Sequence, residues 1–343
     1  MMLKSMKFQR GNLKAIAAIA LTAATISFSV TAVRSQSPAT IKIDGSSTVF
    51  PITEAVAEEF QKQKNGEIRV TVGISGTGGG LKKFCAGEID VANASRPIKA
   101  KEMEACKAAG IQYVELPVAY DALRVVVNSR NDWAKSMTVE QLKAIWEPAA
   151  QDKMKTWKQV NSDWPDTALK LYGPGADSGT FEYFTEAIVG KAKSSRTDYT
   201  GSEDDNVLVQ GVSRNRGGLG YFGYAYYEAN KSRLKAVAID SGKGPVLPSR
   251  ETVENGSYQP LSRPIFIYVN AKAAERGEVK EFVNYYLNNA PKYVAEVKYI
   301  PLPAKVYELA SKHFKDLKVG TVFGGKEAVG LRIEDLLGRE AKL

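Results

Sequence analysis

Three short stretches of the chain set glycine beside hydroxyl side chains just ahead of a helical apolar pattern: GSSTVFP at 45–51, SGTGGG at 75–80 and DSGTF at 177–181. At a helix start the first backbone N–H groups lack partners and the dipole places partial positive charge there. Glycine lets backbone come close to a ligand, and Ser and Thr hydroxyls add donors. Three such turns brought together would cage an anion without many lysines. Each alone reads more readily as an ordinary N-cap. Two points favour a site: all three stand at strand ends, where crevices form in α/β chains, and two fall early while one falls in the middle of the chain. Arg96, in NASRPI at 93–98, follows Ser95 at a strand exit and adds a full positive charge. Its alternative is a surface ion pair.

Other chemistries find less support. A secreted phosphatase would need a nucleophile with its base, or paired metals on His and carboxylate ligands. The chain has one histidine, His313, in a helix-like stretch, and no HExxH or DxD cluster. GADSGT does not fit the GxSxG elbow, and Ser178 has no evident His partner. The reading is therefore a binding protein and not an enzyme, with no metal and no cofactor. The tyrosine-rich YFGYAYYEAN could serve an adhesive surface, though such residues more often pack around a strand and helix.

The elements that must hold these turns alternate. ATIKIDG reads as a strand, FPITEAVAEEFQKQ as a helix with Ile52, Val56 and Phe60 at helical spacing, and EIRVTVGIS as a second strand. GTGGGLKKFCAGE opens a second helix, and IDVANASRPI is a third strand with its exit loop. YVELPVAYDALRVVVNS gives two extended runs broken at Pro117. Beyond this point come Trp133, Trp146, Trp157 and Trp164, the helix TVEQLKAIWE, the strand ALKLYG and a helix FEYFTEAIVG after the third turn. RPIFIYVNAKA reads back towards the first block, and a helical tail begins near Gly277. This pattern predicts α/β folding with parallel pairing. A chain of this length exceeds one comfortable core. Two lobes are expected, 38–119 with 263–343 and 120–262, crossed twice by the chain and able to close on a ligand.

Residues 1–34 carry Lys4, Lys7, Arg10, Lys14 and Arg34, no acid, and the apolar run AIAAIALTAATISFSVTAV. They read as a secretory signal cleaved near Ala32, a membrane anchor being the alternative; no Cys near the exit invites lipid attachment. Without them the formal charge falls by five, from +9 to +4. That is too small a basic balance for a nucleic-acid binder. Cys85 and Cys106 read as a disulfide in an oxidising compartment, two buried thiols being the alternative.

GSSTVFP, SGTGGG, NASRPI, GADSGTF and GGLGYFGYAY occur in the order and spacing of the periplasmic phosphate-binding proteins of ABC importers, the PstS family, which this chain resembles over about residues 40–270. The resemblance implies a two-lobed periplasmic-binding-protein fold of type II, with dehydrated phosphate in the cleft between lobes. It also implies a monomer in the periplasm that passes phosphate to the permease subunits of an ABC importer. Carried over by position, the ligand set is Ser47, Thr48 and Val49; Ser75, Gly76 and Thr77; Ser95 and Arg96; and Asp177, Ser178, Gly179 and Thr180. Many members place an Asp after the strand-exit Ser and an Arg four residues before the Ser of Ser-Gly-Thr. Here Arg96 and Pro174 hold those places and Asp177 precedes Ser178. Cation and acceptor are thus expected to have exchanged lobes, with Asp177 accepting the proton that phosphate carries and sulfate lacks; its alternative is an N-cap of the following helix. The turns alone fit sulfate or molybdate as well.

Overall fold

ATIKIDG turns Ile41 and Ile43 inward and forms β1 (Ala39–Gly45). Proline in its first turn and apolar residues at 52, 56 and 60 set α1 (Phe50–Gln63), whose buried face includes Ile52, Val56 and Phe60. β2 (Ile68–Val72), α2 (Gly76–Cys85), β3 (Val91–Ala94) and α3 (Ala100–Ala108) follow. The computed structural model describes residues 38–176, 178–202, 204–326 and 331–343. The signal read at 1–34 and the acceptor read at Asp177 lie outside these residues.

The two runs expected around Pro117 are one strand, β4 (Tyr113–Asn128), buried throughout. Pro117 has no N–H to offer a neighbour. The ladder absorbs this with an irregularity: Phe266 pairs with Pro117 and Ile265 with Ala119, so Val118 is passed over.

The middle block runs β5 (Ser136–Thr138), α4 (Val139–Trp146), α5 (Trp157–Val160), β6 (Lys170–Pro174), α6 (Gly179–Phe184), β7 (Thr200–Ser202), α7 (Asp205–Arg214) and β8 (Gly218–Gly223). It continues through α8 (Tyr224–Asn230), β9 (Leu234–Ala236), β10 (Ala238–Asp240), β11 (Pro245–Val246) and α9 (Arg250–Glu254). The chain then returns along β12 (Ser262–Asn270) and ends in α10 (Gly277–Glu296), α11 (Ala304–Lys315) and α12 (Ile333–Glu340). Among the described residues no helix is long and apolar enough to cross a membrane.

One curved sheet has the order β2-β1-β3-β12-β4-β8-β6-β7, with β9 also on β4; β11-β10-β5 form a small second sheet. The expected parallel pairing holds among β1, β2 and β3 and among β6, β7 and β8. It gives way at the join, where β12 runs antiparallel to β3 and β4, and β4 antiparallel to β8. A strand that returns from the middle block arrives reversed, which is the reason.

The helix expected over FEYFTEAIVG is also shorter. α6 stops at Phe184, and Thr185–Val189 widen into a π turn ended by Gly190 at φ +88°. The Thr185 hydroxyl donates back to the carbonyls of Phe181 and Glu182, which opens the helix there. Beneath it Trp146 packs edge-on against Phe184, Tyr199 and Tyr221. In the first block Cys85 and Cys106 are bridged, tying the end of α2 to α3. α2 lies hard against β1: a Cβ on Gly80 would stand 2.4 Å from the Gly45 Cα, and one on Gly45 (φ +137°) 2.2 Å from the Asn93 carbonyl oxygen. Only glycine permits that approach.

Candidate functional site

The first turn leaves β1 at Gly45. The Ser46 N–H donates to the Asn93 carbonyl, and its hydroxyl oxygen accepts from the Thr48 N–H at 3.2 Å. Ser47 and Thr48 follow at the strand end, Thr48 buried, and Val49 closes the turn as the N-cap of α1.

The third turn meets it. The Gly179 N–H donates to Ser47 Oγ at 2.7 Å. A Cβ on Gly179 would lie 2.0 Å from Thr48 Oγ1, so the absent side chain allows the meeting. Ser178 caps α6, its hydroxyl oxygen accepting from the Thr180 N–H at 3.1 Å. α6 has six residues before the π turn, so the dipole behind this turn is short.

The second turn is more committed to its own block. The Ser75 hydroxyl donates to Asp44 at 2.6 Å, and Asp44 in turn holds Lys83. Thr77 and Ser95, both buried, share a hydrogen bond of 3.0 Å that ties α2 to the exit of β3. Gly76, at φ +75°, opens α2. The Glu182 carboxylate from α6 stands 3.9 Å from where a Gly76 Cβ would be.

Arg96 is held by both oxygens of Glu102, at 2.8 and 2.9 Å, and donates to the Pro97 carbonyl. Glu102 also accepts from the Lys99 N–H at the start of α3. One Arg96 nitrogen lies 3.9 Å from the Cβ position of Gly78, keeping its charge beside the second turn. Lys99 pairs with Glu186 at 3.1 Å, a tie from α3 across to the π turn.

Two residues beneath the first and third turns escaped the sequence reading. Arg263 of β12 and Asp121 of β4 stand directly opposite in the ladder, 3.9 Å apart at their charged atoms. The Arg263 guanidinium lies over the Tyr183 ring at 3.6 Å, and one nitrogen reaches the Gly179 carbonyl at 3.5 Å. Burial outweighs the attraction between the pair: it pushes the Asp121 carboxyl up from the usual range and the Arg263 guanidinium down. Two signals in the sequence could have found them. Asp121 is an acid inside the apolar run VAYDALRVVV, and Arg263 repeats, at 262–265, the Ser-Arg-Pro-Ile of 95–98.

A cavity of about 80 Å³ lies against Asp121 and Thr180, with Asp205 and Lys298 also in its wall. The much larger groove of about 620 Å³ between α3 and residues 319–324 shares no residue with the turns.

The model of the PBP superfamily domain matches residues 32–290. Protein SphX of Synechococcus elongatus is 55% identical over 327 residues, covering 94% of this chain and 96% of its own. The phosphate-binding protein PstS of Staphylococcus saprophyticus is 40% identical over 280 residues, covering 81% and 85%. A solved structure described as that of a possible phosphate binding protein from Planctomyces limnophilus superposes with a TM-score of 0.74 at 51% identity, covering 82% of this chain and 99% of that one. The chain belongs to the PBP superfamily and, within it, to the PstS family of phosphate-binding proteins.

Proposed function

We propose that this protein is an extracytoplasmic solute-binding protein that captures inorganic phosphate between two lobes and delivers it to the permease subunits of an ABC importer. The observation that carries this reading is the junction of the first and third turns, where the Gly179 N–H meets Ser47 over the buried Thr48 hydroxyl. Turns from two distant parts of the chain meet there and bring hydroxyl and backbone N–H groups together, which suits a compact oxyanion. The ligand groups come from Ser47, Thr48, Val49, Ser75, Gly76, Thr77, Ser95, Arg96, Asp177, Ser178, Gly179 and Thr180. Ser75, Thr77 and Ser95 serve through the hydrogen bonds that hold the second turn in place.

Residues 38–119 with 263–343 make one lobe and 120–262 the other, and β4 and β12 carry the chain across. Asp121 and Arg263 fall at these crossings, which supports a hinge beneath the ligand. The protein works as a periplasmic monomer without catalysis, its signal at 1–34 removed on export; the importer as recipient rests on the family resemblance.

A thermal-shift screen against phosphate, sulfate, molybdate and arsenate tests the function. Phosphate at a hundred times its Kd is expected to stabilise the protein by about 2.7 kcal/mol, arsenate to act similarly and sulfate weakly. No shift with phosphate overturns the reading, and a larger shift with sulfate or molybdate reassigns the ligand.

A further inference from the structure

The contacts that join residues 38–119 to residues 120–262 are of two kinds. The Gly179 N–H on Ser47 belongs to the ligand turns themselves. Lys99 and Glu186 do not. They stand three residues past Arg96 and six past Thr180, yet they meet at 3.1 Å.

Lys99 is the N-cap of α3, and its backbone is fixed there, the N–H donating to Glu102. Glu186 is the second residue of the π turn. That turn is pinned from both ends. The Thr185 hydroxyl donates to the carbonyls of Phe181 and Glu182 and accepts from the Lys193 N–H at 2.7 Å. The Gly190 N–H closes the turn on the Thr185 carbonyl. Such turns inside helices recur at functional sites, and this one fixes a carboxylate facing the other block. The Glu186 side chain is 10% exposed and that of Lys99 38%, so a longer, more exposed cation reaches a preplaced anion.

Glu182, one helical turn earlier, adds to the same field. Its carboxylate stands 3.9 Å from the Gly76 Cβ position, at the start of α2, where the dipole favours negative charge. Burial works against the charge of Arg96, but Glu102, then Glu186 and Glu182, outweigh it and push the Arg96 pKa up. Two carboxylates of the middle block thus face two cations of the first. Their attraction acts with the blocks together and fades with distance as they part.

We propose that Lys99 and Glu186 form a latch across the cleft that slows ligand release without touching the ligand. The proposal rests on the reading of a phosphate-binding protein with two closing lobes, and it adds two positioning residues to that reading. A bond made only in the closed form raises the closed population and lengthens the bound state. Association starts from open lobes, where the bond is absent.

Release of radiolabelled phosphate from the full mature chain, chased with excess unlabelled phosphate, tests the latch. Lys99→Met and Glu186→Gln are each expected to release about three- to fivefold faster, with association within about twofold. The double variant should release no faster than the quicker single one, because both remove the same bond. Lys99→Arg keeps the charge and should stay within about twofold of the unaltered protein. Raising salt from about 0.02 M to about 0.5 M should speed release about threefold more in the unaltered protein than in Lys99→Met. Unchanged release in the single variants, or effects that multiply in the double one, overturns the latch. If Glu186→Gln fails to fold, Lys99→Met, Lys99→Arg and the salt series carry the test, and equal release in all of them overturns it. Failure of the unaltered protein to bind phosphate overturns the functional reading instead, so the two failures are distinct.

Discussion

At the scale of single residues, a side chain's partners separate support from recognition better than its type does. Arg96 and Arg263 share a tetrapeptide, yet one closes a bidentate pair with Glu102 and the other keeps an unpaired Nε under the third turn. Arg96 still stands beside Gly78, so its charge reaches the second turn. Arg96→Ala is expected to weaken phosphate at least tenfold and to cost about 1–3 kcal/mol of stability as Glu102 loses its partner. Calorimetry and urea unfolding on the same variant check both, and intact affinity would leave Arg96 as a clamp for α3. The hydroxyl and glycine positions of the turns were legible because their chemistry is local. Asp121 and Arg263 left only an acid in an apolar run and a repeated tetrapeptide as marks, and their pairing arises from a cross-strand register that no local pattern displays.

At the scale of elements, the sequence spoke clearly where one periodicity ran uninterrupted. FPITEAVAEEFQKQ is α1 from end to end, since its apolar spacing and early proline point to the same answer. It misled at Pro117, where a bulge keeps β4 whole, and after Phe184, where a threonine hydroxyl widens the helix. The Cys85–Cys106 bridge fastens α3 to the helix that carries the second turn. Replacing both cysteines with alanine is expected to lower stability by about 2–4 kcal/mol. Phosphate affinity should change little, because Ser75 remains fixed by Asp44 and Thr77 by Ser95. Denaturant titration beside calorimetry decides; a large loss of affinity would mean that the bridge, not these hydrogen bonds, holds the turn.

At the scale of the molecule, the tail helices pack beside buried acids whose carboxyls burial pushes up. Glu340 of α12 is buried 3.1 Å from His313 of α11, and burial, then the charge of Glu115, pushes its carboxyl up to about 8 from 4.5. Glu115 is pushed up to about 7 by burial, against hydrogen bonds from Thr321, Tyr268 and Val322. The folded protein therefore holds protons that the unfolded chain releases above about pH 4.5, so stability falls as pH rises from about 5 to about 8. His313, held below its usual range by burial and by Lys312 and Lys318, opposes this below about pH 6.5. Urea unfolding at pH 5.5 and 8 should show the decline, and Glu340→Gln should flatten it; an equal slope in the variant would place the linkage elsewhere. The strand order has a further consequence, in time. β3 and β4 are consecutive in the chain but not neighbours in the sheet, and the place between them is filled by β12, beginning at residue 262. During synthesis the amino-terminal half-sheet stays open until the ribosome has passed residue 270, so the growing chain remains in an unfinished, threadable state for most of its length.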